Sequence, residues 1–230
     1  MITDNQMLNM NRRQLCGGIC AGAAILVAGC TGTNGGQDPS SETDTESEPT
    51  PPSGDVQRRV TLAEQDSAPD QTAIELTAEV TQPWITTEKT ALVRISTTNR
   101  GSERALSVGE SRCAIFNRNQ KGSDKPAGLW LHRQPEETPT RVNNKWVADK
   151  PAGEARGQAL YYCPPRTYES GETVSTTYQV WHDYREDGYL DPGEYRWEQG
   201  IKVWDGPEAD GSPDPGEKFS WGFTLRVSEG

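Results

Sequence analysis

Past residue 56 the chain alternates apolar and polar positions with a period of two, the pattern of strands buried on one face. Ile74, Leu76, Ala78 and Val80 share one side. Ala91, Val93 and Ile95 repeat the pattern before a turn at Asn99-Arg100-Gly101, and Val174, Thr176, Tyr178 and Val180 repeat it again. The last run is the clearest: Phe219, Trp221, Phe223, Leu225 and Val227 lie on one face, with Lys218, Ser220, Gly222, Thr224 and Arg226 on the other. Shorter strand candidates fall at Val60–Leu62, Ala105–Val108, Cys113–Phe116, Leu129–His132, Leu160–Cys163, Tyr195–Trp197 and Ile201–Trp204. No window carries a convincing 3.6-residue period, and 23 Gly with 16 Pro divide the chain into short pieces, so helix is expected to be scarce. Eight or more short antiparallel strands predict an all-β domain, an immunoglobulin-like antiparallel β-sandwich over residues 56–230. The spans around Asn117–Lys125 and Arg133–Gly157 read as long polar loops, which are either binding loops or disordered.

Residues 30–55 break the pattern. Between Cys30 and Val56 there is no aromatic or aliphatic residue, only Thr, Ser, Gly, Glu, Pro and their like, so nothing there can offset the entropy of ordering. This stretch is expected to be a disordered acidic tether, stiffened by its prolines and rich in hydroxyls that could accept O-linked sugars.

Residues 1–29 read as targeting sequence. The twin pair Arg12-Arg13 precedes an apolar run, Cys16 to Ala28, which as a helix would reach about 20 Å. The hydrocarbon core of a bilayer is about 30 Å thick, so the run suits a signal peptide better than a spanning helix. It ends in Leu26-Val27-Ala28-Gly29-Cys30, which resembles the lipobox of secreted lipoproteins, while Arg12 and Arg13 resemble the Tat export signal, with Leu15 where Phe is common. That resemblance implies export in a folded state, lipidation of Cys30 as the mature N-terminus, and residence on the extracellular face of the cell membrane. Translation is expected to start at Met1, Met7 or Met10. Of five cysteines, Cys16 and Cys20 leave with the signal and Cys30 takes the lipid. Cys113 and Cys163 remain, either as one disulfide, the usual state of an even remainder in an exported domain, or as two buried thiols.

Charge narrows the partners. Lys+Arg 23 against Asp+Glu 34 gives a net −11, with 16 Arg and only 7 Lys. Such a chain repels phosphate and has no basic stripe, so nucleic acid is not expected as a partner. Lys-poor, acid-rich surfaces suit high salt, although an ordinary acidic exported protein has the same look. A hydrophobic content of 32% and a mean hydropathy of −0.81 exclude a polytopic membrane protein.

In the C-terminal half, Glu169-Ser170-Gly171-Glu172-Thr173-Val174, then Tyr178-Gln179-Val180-Trp181, then Tyr189-Leu190-Asp191-Pro192-Gly193-Glu194-Tyr195 are followed by the closing aromatic strand. This order resembles BsuPI-type proteinase inhibitor domains and related Ig-like domains. The whole layout is similar to surface lipoproteins of halophilic archaea. The resemblance implies a sandwich fold and, as one function, a loop that blocks a protease.

Candidate chemistry is sparse. Asp187-Gly-Tyr-Leu-Asp-Pro-Gly-Glu194 and Asp210-Gly-Ser-Pro-Asp-Pro-Gly-Glu217 repeat D-G-x-x-D-P-G-E. With Asp183 added, Asp187, Asp191 and Glu194 occupy acidic positions of an EF-hand-like loop with Gly188 at the sharp turn, so a calcium ion is one reading; turn chemistry with solvated acids is the other. Arg185 stands where that loop needs a ligand. No other cofactor is implied. The histidines are His132 and His182, and no metalloprotease, serine-hydrolase or nucleotide motif is present, so the protein is not expected to be an enzyme. His182 beside Asp183 is the one base-and-orienter pair in sequence. Of seven tryptophans, Trp181, Trp197 and Trp221 are expected in the core. Trp130, Trp146 and Trp204 border polar loops, where they either stack on sugars, anchor a protein, or pack beneath the loops. The expected function is non-enzymatic binding of a protein or glycan at the envelope; proteinase inhibition and a calcium-stabilised surface domain are the alternatives.

Overall fold

The computed structural model describes residues 55–116, 122–134, 140–148, 163–207 and 216–230, all within one compact unit spanning 48–230. The strands are β1 (Val56–Gln65), β2 (Ile74–Gln82), β3 (Trp84–Thr86), β4 (Leu92–Asn99), β5 (Arg104–Leu106), β6 (Leu129–Arg133), β7 (Arg141–Val142), β8 (Lys145–Ala148), β9 (Arg166–Tyr168), β10 (Thr173–His182), β11 (Gly193–Asp205) and β12 (Glu217–Glu229). Two single-turn 3-10 helices, Asp70–Thr72 and Ser111–Cys113, are the helical elements among the described residues. One sheet runs β3-β1-β12-β11-β5-β9. The other runs β2-β4-β10, with β6 also on β10 and the β7–β8 hairpin joined to its far end by a parallel pair, His182 to Val147. All other pairings are antiparallel, and the two sheets make an all-β sandwich.

The alternation places the core where the sequence analysis expects it. Ile74, Leu76 and Ala78, then Ala91, Val93 and Ile95, then Val174, Thr176, Tyr178 and Val180 are all buried, and so are Trp221, Phe223, Leu225 and Val227 from β12. Trp197 stacks on Phe223 with ring centroids 5.3 Å apart, and Phe116 meets the same ring edge-on at 5.4 Å. Burying a side chain such as Phe223 or Leu225 stabilises the fold by about 1.5–3 kcal/mol. Asn99, at the predicted turn, is fully buried; its amide donates to the carbonyls of Ser102, Tyr168 and Glu169 and accepts the Gly101 N–H, which satisfies the groups left where β4 ends.

Three details differ from the sequence expectation. Tyr195–Trp197 and Ile201–Trp204 belong to one thirteen-residue strand, β11, because it pairs with β12 without interruption. Cys113–Phe116 is not a strand: a 3-10 turn leads into it, and Ser111 and Phe116 both have positive φ. Within the expected loop Arg133–Gly157, β7 and β8 form a hairpin whose two-residue turn, Asn143-Asn144, has φ of 48° and 59°, the left-handed pair that such a turn requires. Leu160 to Tyr162, from another strand candidate, lies outside the described residues. The sandwich's side is closed near β6 by residues 122–128, which bridge Gly122 to Trp130 and Lys125 to Arg196 of β11.

Candidate functional site

Cys30, Arg12 and Arg13 lie outside the described residues. The two cysteines of the domain are bonded: Cys113 and Cys163 form a disulfide with a Cα–Cα distance of 5.5 Å across a sequence separation of 50. It fixes the Ser111–Cys113 turn against the chain that enters β9.

The four acids of the calcium reading are not gathered. The Asp183 side chain has no exposed surface and is held by Arg185, whose Nε donates to Oδ1 at 2.9 Å and whose Nη2 donates to Oδ2 at 2.5 Å. That carboxylate keeps the guanidinium more firmly protonated than usual, and the guanidinium in turn lies over the Trp130 ring at 5.0 Å. The residue that broke the ligand pattern is thus the one that neutralises its first acid. Glu194 pairs instead with Arg226 across β11 and β12 at 2.6 Å, and Asp191 receives the Tyr189 N–H at 3.4 Å. Asp187 is exposed. Among the described residues no group of three or more His, Cys, Asp or Glu is placed to hold a metal. The second copy of the repeat falls mostly outside the described residues.

His182 and Asp183 do not form a catalytic pair. β10 ends at His182, and the two side chains have different partners: Asp183 is held by Arg185, while the His182 ring bonds backbone groups of the turn. The buried His182 ring accepts the Leu190 N–H on Nδ1 at 3.2 Å, which leaves Nε2 to donate to the Glu186 carbonyl at 3.1 Å. Its role is to tie down the acidic turn, in which Leu190 has a φ of 48° and is fully buried.

Trp130 and Trp146 are buried, packed beneath the loops. Tyr184 and Arg185 cover Trp130, while Arg141 and Trp181 cover Trp146. Trp204 is half-buried on β11.

The feature that sequence reasoning missed is a cavity of about 610 Å³ along one edge of β10. Residues 173–177 of β10 form one wall. Arg133 and Gln134, where β6 ends, and Glu110 and Ser111, at the disulfide-bound turn, complete it. The Gln134 N–H donates to the Thr177 carbonyl, so odd-numbered residues of β10 aim their backbone groups away from β4. The Asn99 N–H donates to the Glu172 carbonyl, so even-numbered ones aim theirs toward it. The N–H and C=O groups of Thr173 and Ser175 therefore point into the cavity, and among the described residues no strand pairs with them. Their hydroxyls, on the solvent face, bond those of Thr98 and Ser96 at 2.8 Å each.

Charge is ordered at the two ends. At the Thr173 end Arg166 bonds Glu172 at 2.6 Å and Glu110 at 2.9 Å, and its guanidinium holds the Glu172 carboxyl below the usual carboxylate range. At the other end stands Arg133, opposite Tyr178. Ser111 keeps a φ of 52° beside this edge, a left-handed conformation unusual for a residue with a side chain. No family model, no curated protein and no solved structure matches this chain.

Proposed function

We propose that this protein is a lipid-anchored module on the extracellular face of the cell membrane whose β-sandwich binds a protein or glycan ligand without catalysing a reaction. The anchor is the lipid on Cys30, reached by export through the Arg12-Arg13 signal, and residues 30–55 hold the sandwich away from the membrane. The observation that carries the binding reading is the cavity beside β10. Its volume of about 610 Å³ is that of a ligand cleft, and its walls offer backbone donors and acceptors, the Gln134 amide, hydroxyls and charges at both ends. A sugar or an extended polypeptide meets such groups with hydrogen bonds rather than apolar area.

The test has two arms. Cys30→Ala releases the protein from the membrane fraction into the medium; retention of that variant overturns the anchor. The full chain, screened against envelope glycans and polypeptides, is expected to bind a ligand whose affinity falls about tenfold or more in Gln134→Ala, the loss of one or two good hydrogen bonds. Binding that is indifferent to Gln134 and Arg133 overturns the groove.

A further inference from the structure

The edge of β10 can be matched to an occupant, because what faces the groove is backbone. Thr173 and Ser175 present one N–H and one C=O each along an edge that no strand among the described residues pairs, the arrangement that takes up an added strand. The volume available suits a short extended segment. It is bounded at one end by Gln134, which already occupies the place opposite Thr177, and at the other by the Glu110–Arg166–Glu172 cluster.

We infer that the occupant is a second copy of this chain, paired through β10 about a two-fold axis. This rests on the reading of the groove as a binding site, and three observations favour it. First, symmetry: an antiparallel pair centred on Val174 sets Thr173 of each copy opposite Ser175 of the other. Both present edge-directed groups, so four backbone hydrogen bonds close without displacing Gln134. Second, side chains: Thr173 and Ser175 already match hydroxyl to hydroxyl with β4, and the pairing repeats that match across the dyad, extending the row of hydroxyls over both copies. Third, charge: a chain of net −11 repels its own copy. Contact survives where the facing residues are uncharged or complementary. Residues 173–180 carry no charge, so the paired edges set no like charges against each other. A foreign strand would need such an uncharged edge built into it; this chain carries its own. The edge is short, so the association is weak, and anchoring both copies on one membrane raises their effective concentration.

The experiment is sedimentation velocity of the full chain across a wide concentration range, at high ionic strength to screen the like charges. It is paired with a photo-crosslinking residue in place of Thr173. The expected result is a monomer–dimer equilibrium and a self-linked product joined near residue 175 of the other copy. Ser175→Pro, which removes an edge-facing donor, weakens the dimer about tenfold or more. Ser175→Lys keeps the N–H but sets like charges close to the dyad, so it reports the same edge if the proline variant fails to fold. A chain that stays monomeric throughout, or a dimer that persists in both variants, overturns the inference. A cross-link to another polypeptide, with no self-linked product, also overturns it while leaving the groove as a binding site. Loss of ligand binding in Gln134→Ala without any dimer separates the two readings in the same way.

Discussion

Residues 178–182 of β10 have β6 along one edge and a second layer of aromatics over the outer face, whereas residues 173–177 have β4 on one edge, a groove on the other and hydroxyls toward solvent. Both halves carry the inward alternation, with Val174, Thr176, Tyr178 and Val180 all buried. They differ on the outward side. Trp181 is fully buried although its neighbour Val180 fills the inner face, because His132 at 4.9 Å and Trp146 at 5.3 Å close over it. The covered half is packed on both faces, whereas in the other half the edge-directed backbone groups of Thr173 and Ser175 have no strand partner among the described residues.

The largest effect expected from this contrast comes from truncating the outer layer. Trp181→Ala leaves a void beneath Trp146 and His132 and costs about 3–5 kcal/mol. On the same outward-facing side, Thr177→Ala costs within about 0.5 kcal/mol. Chemical denaturation of both variants measures the difference, and similar losses would mean that the two halves are equally packed.

The disulfide comes next, since it secures the turn that walls the groove. Joining Cys113 and Cys163 across 50 residues restricts the unfolded chain, and the double Cys→Ser variant is expected to lose about 2–4 kcal/mol. Groove-dependent binding should weaken as well, because Glu110 and Ser111 lose their tie. A variant that is less stable but binds unchanged would detach the turn from the groove.

How much of this was readable in the sequence depends on how local each cause is. The inner faces were legible because a strand's period belongs to the strand itself, and five large side chains in step on β12 can do little else. The cysteine pair was legible by subtraction. Arg185 was legible as a defect in a calcium loop, but its bond to Asp183 was not, since that depends on the turn folding back. The Asn143-Asn144 hairpin was within reach, because two residues tolerant of positive φ stand between Val142 and Trp146. Trp181 could be placed inside, but a second layer over the outer face depends on where β8 arrives. The groove could not be read at all. The pairing of β10 with β6 ends at the Gln134–Thr177 bond, and no property of residues 173–177 records where that pairing ends.

A smaller effect follows from the charges at the groove's end. Arg166 holds Glu172 below its ordinary pKa, so this pair contributes stability above the usual carboxylate value of about 4.3 and loses it as pH falls through the lowered folded value. Glu172→Gln is therefore expected to cost about 0.5 kcal/mol at neutral pH, a figure reduced by solvent screening, and to flatten the acid limb of the stability profile. Melting temperatures at pH 7 and below pH 4 check both signs. An unchanged acid limb would show that the ion pair at the Thr173 end adds nothing to folding.

A near-neutral substitution bears most directly on the comparison. Because the Ser175 N–H points away from β4, Ser175→Pro removes no intrachain ladder bond and is expected to change stability by less than about 1 kcal/mol. Thr176→Pro, one residue on, removes a donor aimed at β4 and costs about 3 kcal/mol or more. Amide exchange of the wild-type chain reads the same alternation without mutation. The amides of Thr173 and Ser175 should exchange far faster in dilute protein than those of Val174, Thr176 and Val180, which β4 and the adjoining Ala91 carbonyl protect. If a second copy fills the groove, raising the concentration slows those two amides and leaves the even-numbered ones unchanged. Uniform protection along β10 in dilute protein would mean that the edge is not open, and the distinction between its halves would fall with it.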